Sequence, residues 1–260
     1  MQYVLYFLIA IGATTVGSLT GMGGGVIIKP LMDMLHGYDV QTIGMLSCIT
    51  VFSMSLVSIG KQMLARTKIP FETAIPLAVG SVVGGVAGES LLQAIVEKLQ
   101  ANSTVTVVQN VVLGLLILAV FLYMQNKSRI KSYSLRGLAP SLAVGVFLGM
   151  CSSFLGIGGG PINVALIIFL FSYPTKTATV CSLVTILFAQ ISKLTVVALG
   201  AGFGGYDLSI APVMVVGAIA GGFIGASLNK RFSERTVERA FNGVQLLVLA
   251  ITVYNIARNL

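Results

Sequence analysis

The chain has 260 residues, of which 56% are hydrophobic and only 9% charged, and its mean hydropathy is +0.96. Soluble domains carry about 25% charged residues, so 8 acids and 16 bases cannot cover a water-facing surface of this length. A soluble domain is therefore excluded, and the net charge of +8 does not point to nucleic acid, because the bases sit in short loops between apolar stretches.

In chain order, the first five apolar segments lie near residues 3–19, 25–35, 41–60, 70–95 and 105–124. The second five lie near 138–155, 161–172, 177–199, 209–228 and 238–257. The stretches are continuous rather than alternating, which predicts an all-α polytopic membrane protein and argues against a β-barrel. The 30 glycines and 7 prolines suit membrane helices, where small residues allow close packing. The first segment lacks a basic leader and an A-x-A cleavage site, so it is expected to be retained rather than cleaved as a signal peptide. The second segment of each set has about ten to twelve residues, where a full helical crossing needs about 20. Both are expected to be half-helices or arms of re-entrant hairpins.

Basic residues fall in three loops: Lys61, Arg66 and Lys68; Lys127, Arg129, Lys131 and Arg136; and Lys230, Arg231, Arg235 and Arg239. The positive-inside rule places all three in the cytoplasm of a multi-pass protein of the inner (plasma) membrane. Both termini, and the base-poor loops near 98–104 and 200–207, then lie outside.

The run Gly21-Met22-Gly23-Gly24-Gly25 recurs 135 positions later as Gly156-Ile157-Gly158-Gly159-Gly160. At the same offset Tyr38 matches Tyr173, Thr42 matches Thr177, Ser47 matches Ser182 and Thr50 matches Thr185. A second block, Gly80, Gly84, Gly85 and Gly88, matches Gly217, Gly221, Gly222 and Gly225. Its spacing is helical, so it predicts a close helix–helix contact rather than chemistry. The basic loop at 61–68 corresponds to a loop near 200–207 with Asp207 and no base. The loop near 98–104, with only Lys98, corresponds to the basic loop at 230–239. Equivalent loops thus face opposite sides. The expected organisation is a first inverted repeat at 1–126, a cytoplasmic linker at 127–137 and a second inverted repeat at 138–260. Inverted repeats point to alternating access around a midplane site.

A glycine run inside the membrane lets the backbone turn sharply and requires its polar groups to line a cavity or be buried in protein. Helices starting just after Gly25 and Gly160 would aim unpaired N–H groups and positive dipole ends at one place. Two such ends make an anion site without a charged side chain. The candidate substrate-binding residues are therefore Gly23, Gly24, Gly25, Gly158, Gly159 and Gly160, with the amide of Asn163. The hydroxyls of the third segments add Ser47, Thr50, Ser182 and Thr185, which recur at matched positions. Hydroxyls also bond their own helix carbonyls, so each has a plain structural reading too. Lys193 lies deep in an apolar segment and joins the set, since an intramembrane charge marks function by default. Lys29, four residues past the first glycine run, can instead snorkel. Glu89, Asp33 and His36 lie near segment ends and are expected to be solvated interface residues rather than proton carriers. Cys48, Cys151 and Cys181 form no C-x-x-C pair, so neither a metal site nor a disulfide framework is indicated. The sequence contains no cofactor motif.

The twin G-x-G-G-G segments, in a chain that is nearly all membrane, resemble the TauE/SafE family, the sulfite-exporter family. The first copy, Leu19-Thr20-Gly21-Met22-Gly23-Gly24-Gly25 with trailing Pro30, matches the family pattern best. The second copy has Pro161 directly after the glycines and no proline matching Pro30. The resemblance covers essentially the whole chain. It implies a transporter of sulfur-containing anions, such as sulfite, sulfoacetate or a related organosulfonate. The partners it implies are a small anionic substrate, the lipid bilayer and a coupling ion, either H+ or Na+. The anion, the direction of transport and the oligomeric state stay open.

The rival readings are an anion channel, which would share the site chemistry, and a non-transporting membrane assembly subunit. No Walker-type nucleotide loop is present, and neither is H-E-x-x-H, G-x-S-x-G or a pair of intramembrane aspartates, so an enzyme is not expected.

Overall fold

The fold is organised by close glycine-mediated helix contacts between the two halves of the chain. The structure is a computed structural model, and it describes every residue except Met1, His36, Arg66, Lys68, Gln100, Ala101, Gly158, Ala201 and Leu260. The described residues form ten helices. The first five are α1 (Gln2–Thr20), α2 (Gly25–Leu35), α3 (Val40–Leu64), α4 (Phe71–Leu99) and α5 (Asn102–Asn126). The second five are α6 (Leu138–Phe154), α7 (Pro161–Phe171), α8 (Thr175–Leu199), α9 (Ala211–Arg231) and α10 (Glu234–Asn259). Among the described residues, seven helices are long and apolar enough to cross a membrane: α1, α3, α4, α5, α8, α9 and α10.

The two short segments of the sequence are the short helices α2 and α7, each of 11 residues. At 1.5 Å per residue each is about 16 Å long, roughly half the hydrocarbon thickness. Neither can cross alone. Several helices overrun the apolar segments that announced them. α3 reaches Leu64 because Lys61 finds partners there, bonding the Phe223 carbonyl at 3.1 Å and the Ser227 hydroxyl, with its ammonium 3.2 Å from the Phe223 ring centre. α10 starts at Glu234 because the Ser233 hydroxyl accepts from Thr236 N at 3.2 Å. Hydropathy ends before such polar helix ends do.

α4 lies along α6, and α1 lies along α9, so each half places a helix against the other half. α3 packs on α9 and α8, α8 on α4, and α5 on α10. Advancing every helix number by five turns these principal pairings into one another. The glycine stripes explain the closest pairs. A Cβ on Gly80, Gly84 or Gly88 would fall 2.2, 1.9 or 2.4 Å from the carbonyls of Leu142, Val146 and Met150 on α6. On α9, a Cβ on Gly221 or Gly225 would fall 2.6 or 2.2 Å from the carbonyls of Ile11 and Thr15 on α1. Only the missing side chains let these backbones approach.

The basic loops gather at one end of this bundle. Lys61 lies against α9 beside Lys230, and Lys127 forms an ion pair with Glu238. Arg66 and Lys68 lie outside the described residues.

Candidate functional site

Both glycine runs interrupt helices at left-handed glycines. Gly21 has φ of +77° and Gly156 has φ of +64°, a backbone that L side chains resist. The carbonyls at the end of α1 find partners on the other half of the chain. Ser182 donates to Gly21 O at 2.6 Å, Thr179 to Thr20 O at 3.2 Å, and Asn229 to Leu19 O at 2.6 Å. At the second run, Gln109 of α5 donates to Phe154 O at 2.7 Å. α7 then starts directly at Pro161, with Gly160 as its N-cap and no side chain capping its first turn. Pro at that position is preset for a helix start and explains where the second copy begins. By contrast, α3 is capped by Asp39, which accepts from Gln41 N and Thr42 N.

The two breaks touch. A Cβ on Gly25 would lie 2.0 Å from the Ile157 carbonyl oxygen and 2.7 Å from Ser47 Oγ. One on Gly160 would lie 3.9 Å from Val26. The starts of α2 and α7 therefore stand beside each other, with Ser47 at their junction. Gly24 faces elsewhere, since its Cβ would meet Thr14 of α1 at 2.9 Å. Gly159 is held by Ile186 of α8, 2.3 Å from its Cβ position. Gly23 has φ of +72° and turns the chain toward α2. Gly158 lies outside the described residues.

The matched hydroxyls divide. Thr50 donates to Leu46 O at 2.6 Å and Thr185 to Cys181 O at 3.0 Å, both within their own helices. Ser182 is taken up by Gly21. Ser47, fully buried, has no hydrogen-bond partner, and the amide oxygen of the equally buried Asn163 has none either. The Ser47 hydroxyl can donate or accept, whereas the Asn163 amide oxygen can only accept.

Charge enters from two buried lysines beside the second break. Lys193 Nζ lies 2.8 Å from Glu89 Oε2, with both side chains at most 5% exposed. Lys29 Nζ lies 3.2 Å from Asp33, one turn along α2, and Asn110 also reaches that carboxylate at 3.3 Å. Glu89 and Asp33 are thus not the solvated interface residues that their positions near segment ends predicted. Each is buried because a lysine neutralises it. Lys29 likewise does not snorkel, being 2% exposed. His36 lies outside the described residues. The two lysines are linked through Gly156 and Gly44. The Cβ position of Gly156 is 3.3 Å from the Lys29 stem and 3.5 Å from Gly44 Cα, while the Cβ position of Gly44 is 3.7 Å from Lys193 Nζ. Tyr206, in the connector after α8, borders this cluster: burial first, then the Glu89 charge, pushes its phenol up. The spacing of Lys29 and Asp33, four apart in one short helix, was the legible sign of their pairing. Nothing in the sequence linked Glu89 to Lys193.

Residues 6–252 match the family described as Sulfite exporter TauE/SafE. The chain belongs to that family. It is a multi-pass membrane transporter of the TauE/SafE kind and not an enzyme. Among curated relatives, it is 25% identical to the probable membrane transporter protein YunE of Bacillus subtilis, over 98% of each chain. It is 26% identical to a probable membrane transporter protein of Methanocaldococcus jannaschii, over 84% of this chain and 83% of that one. A probable membrane transporter protein of Xylella fastidiosa is 34% identical over 48% of this chain and 46% of its own length. No solved structure gives a significant match.

Proposed function

We propose that this TauE/SafE chain is a secondary transporter moving a small sulfur-containing anion: sulfite, sulfoacetate or a related organosulfonate. It works by alternating access between two inverted repeats, 1–126 and 138–260, with both termini outside. The observation that carries the anion reading is the pair of buried lysines, Lys29 and Lys193, flanking the second glycine break. The adjoining starts of α2 and α7 add N–H groups and positive dipole ends to the same region. The Ser47 hydroxyl, which has no hydrogen-bond partner, adds a donor, and Asn163 near the start of α7 adds its amide NH2. A sulfonate or sulfite offers several acceptor oxygens on a compact body, which suits a site made of dispersed donors and two ammonium groups.

The matched helix pairings supply the two-state frame. Because α1 and α4 each pack on the opposite half, the halves share their longest contacts and can rock against one another around the breaks. The three basic loops gathered at one end are the cytoplasmic face in this reading.

The test is a binding screen of sulfite, thiosulfate, sulfoacetate and simple carboxylates on the purified protein, followed by flux in proteoliposomes. Saturable binding of a sulfur anion and its accumulation against a gradient are expected. Flux that never concentrates the anion overturns the coupled transporter in favour of a channel.

A further inference from the structure

Four charged groups are buried in two ion pairs, Lys29–Asp33 and Lys193–Glu89, and two of the four, Asp33 and Glu89, have no place in binding an anion. They are the lysines' resident counter-ions. The Lys193–Glu89 pair is the more telling of the two, because its members come from different helices, α8 and α4, that lie in different halves of the chain. We infer that Glu89 is the coupling residue of the transporter: an incoming anion takes Lys193, and Glu89, displaced, takes up one proton. This inference rests on the anion-transport reading above and supplies its coupling ion.

The reasoning is charge balance in a buried place. Lys193 and Glu89 together are neutral. An anion that binds Lys193 brings one further negative charge into a region where both side chains are at most 5% exposed. An uncompensated charge there costs several kcal/mol. Among the described residues, no cation without a counter-ion lies against the pair. Glu89 faces Lys193 from α8, Cys48 from α3 and Tyr206 from the connector after α8, with Asp39 beyond. On its own helix Gln93 donates to it at 3.4 Å. α5 and α6, which also pack on α4, carry no Asp, Glu, Lys, Arg or His in their sequences. The charge of Lys29 is already balanced by Asp33, so it adds no net positive charge to the region. The remaining route to neutrality is a proton drawn from the bulk solution and its buffer, forming an O–H bond on a Glu89 carboxylate oxygen as the Lys193 ion pair breaks. Release of the anion reverses both events. One proton therefore travels with each negative charge that Lys193 accepts, in the same direction as the anion.

The experiment counts protons. Purified full-length protein is titrated with methanesulfonate and with 2-hydroxyethanesulfonate, both monoanions, in buffers of different ionisation enthalpy, and its affinity is followed across pH. Both probes stay fully ionised near neutrality, unlike sulfite, so any proton taken up belongs to the protein. Uptake of about one proton per bound anion is expected, with affinity weakening about tenfold for each unit that pH rises. In Glu89→Gln the proton count and the pH slope are expected to vanish together. Binding without proton uptake in the wild-type protein overturns the inference and leaves the transport reading standing. So does a Glu89→Gln protein that keeps the full proton count. If neither anion binds the wild-type protein, the sulfur-anion reading fails and the coupling inference with it. The wild-type count decides the matter even where Glu89→Gln does not fold.

Discussion

The carbonyl oxygen of Ile157 lies 2.0 Å from where a Cβ on Gly25 would stand. That one approach joins the two glycine breaks, and it sets the first expected outcome. In Gly25→Ala the backbone of Ile157 must move, because the obstacle is main chain rather than a flexible side chain. Overpacking of this kind costs about 1–3 kcal/mol. The thermal midpoint of the purified protein is expected to fall and anion binding to weaken. Gly12→Ala is the control: its added carbon meets nothing within 4 Å, so it should leave the midpoint unchanged or raised. Equal midpoints for the two variants would contradict the close approach of the breaks.

The glycine stripes give a paired expectation. Gly84 sits 1.9 Å, at its Cβ position, from the Val146 carbonyl, and its counterpart Gly221 sits 2.6 Å from the Ile11 carbonyl. Gly84→Ala and Gly221→Ala should therefore destabilise by similar amounts, as thermal unfolding in detergent would report. A large loss in one and none in the other would mean that the matched helix pairings do not carry matched loads.

Much of this was legible in the chain, for local reasons. The lengths of α2 and α7 follow from how little apolar sequence follows each glycine run. The stripe at Gly80, Gly84 and Gly88 announced a close contact, but glycines do not name their partner, so the exchange of helices between halves was not readable. The recurrence of Thr50 and Thr185 looked like a binding pair. In the structure each donates to a carbonyl four residues earlier, on Leu46 and Cys181. Lys193 stood out as a charge in an apolar run. Glu89 did not, because its neutralising partner lies in the other half of the chain and only the fold brings them together.

The Lys193–Glu89 pair separates stability from transport. Lys193→Ala leaves Glu89 buried without its partner, at a cost of about 3–5 kcal/mol. A strong fall in thermal midpoint is expected. Replacing both, as Lys193→Met with Glu89→Leu, removes the stranded charge, and most of the lost stability should return. Transport should not return, because the ammonium that takes the anion is gone. Flux in the double variant at the wild-type level would show the pair to be structural only.

Ser47 and Ser182 occupy matched positions in α3 and α8, yet the two hydroxyls do different things, and their alanine variants should diverge. Ser182 donates to Gly21 O at 2.6 Å. Ser182→Ala strands a buried carbonyl at the first break, which costs about 1–3 kcal/mol. Its thermal midpoint should drop, and binding should weaken only as far as the break loosens. Ser47 has no partner to lose, so Ser47→Ala removes an unsatisfied group and should be neutral or slightly stabilising. If that hydroxyl awaits the anion, Ser47→Ala should still weaken binding by about tenfold, the worth of one hydrogen bond to a charged acceptor. Calorimetric affinity and thermal midpoint, read together on both variants, decide it. Unchanged affinity in Ser47→Ala would remove Ser47 from the site and leave the two lysines and the helix starts to hold the anion.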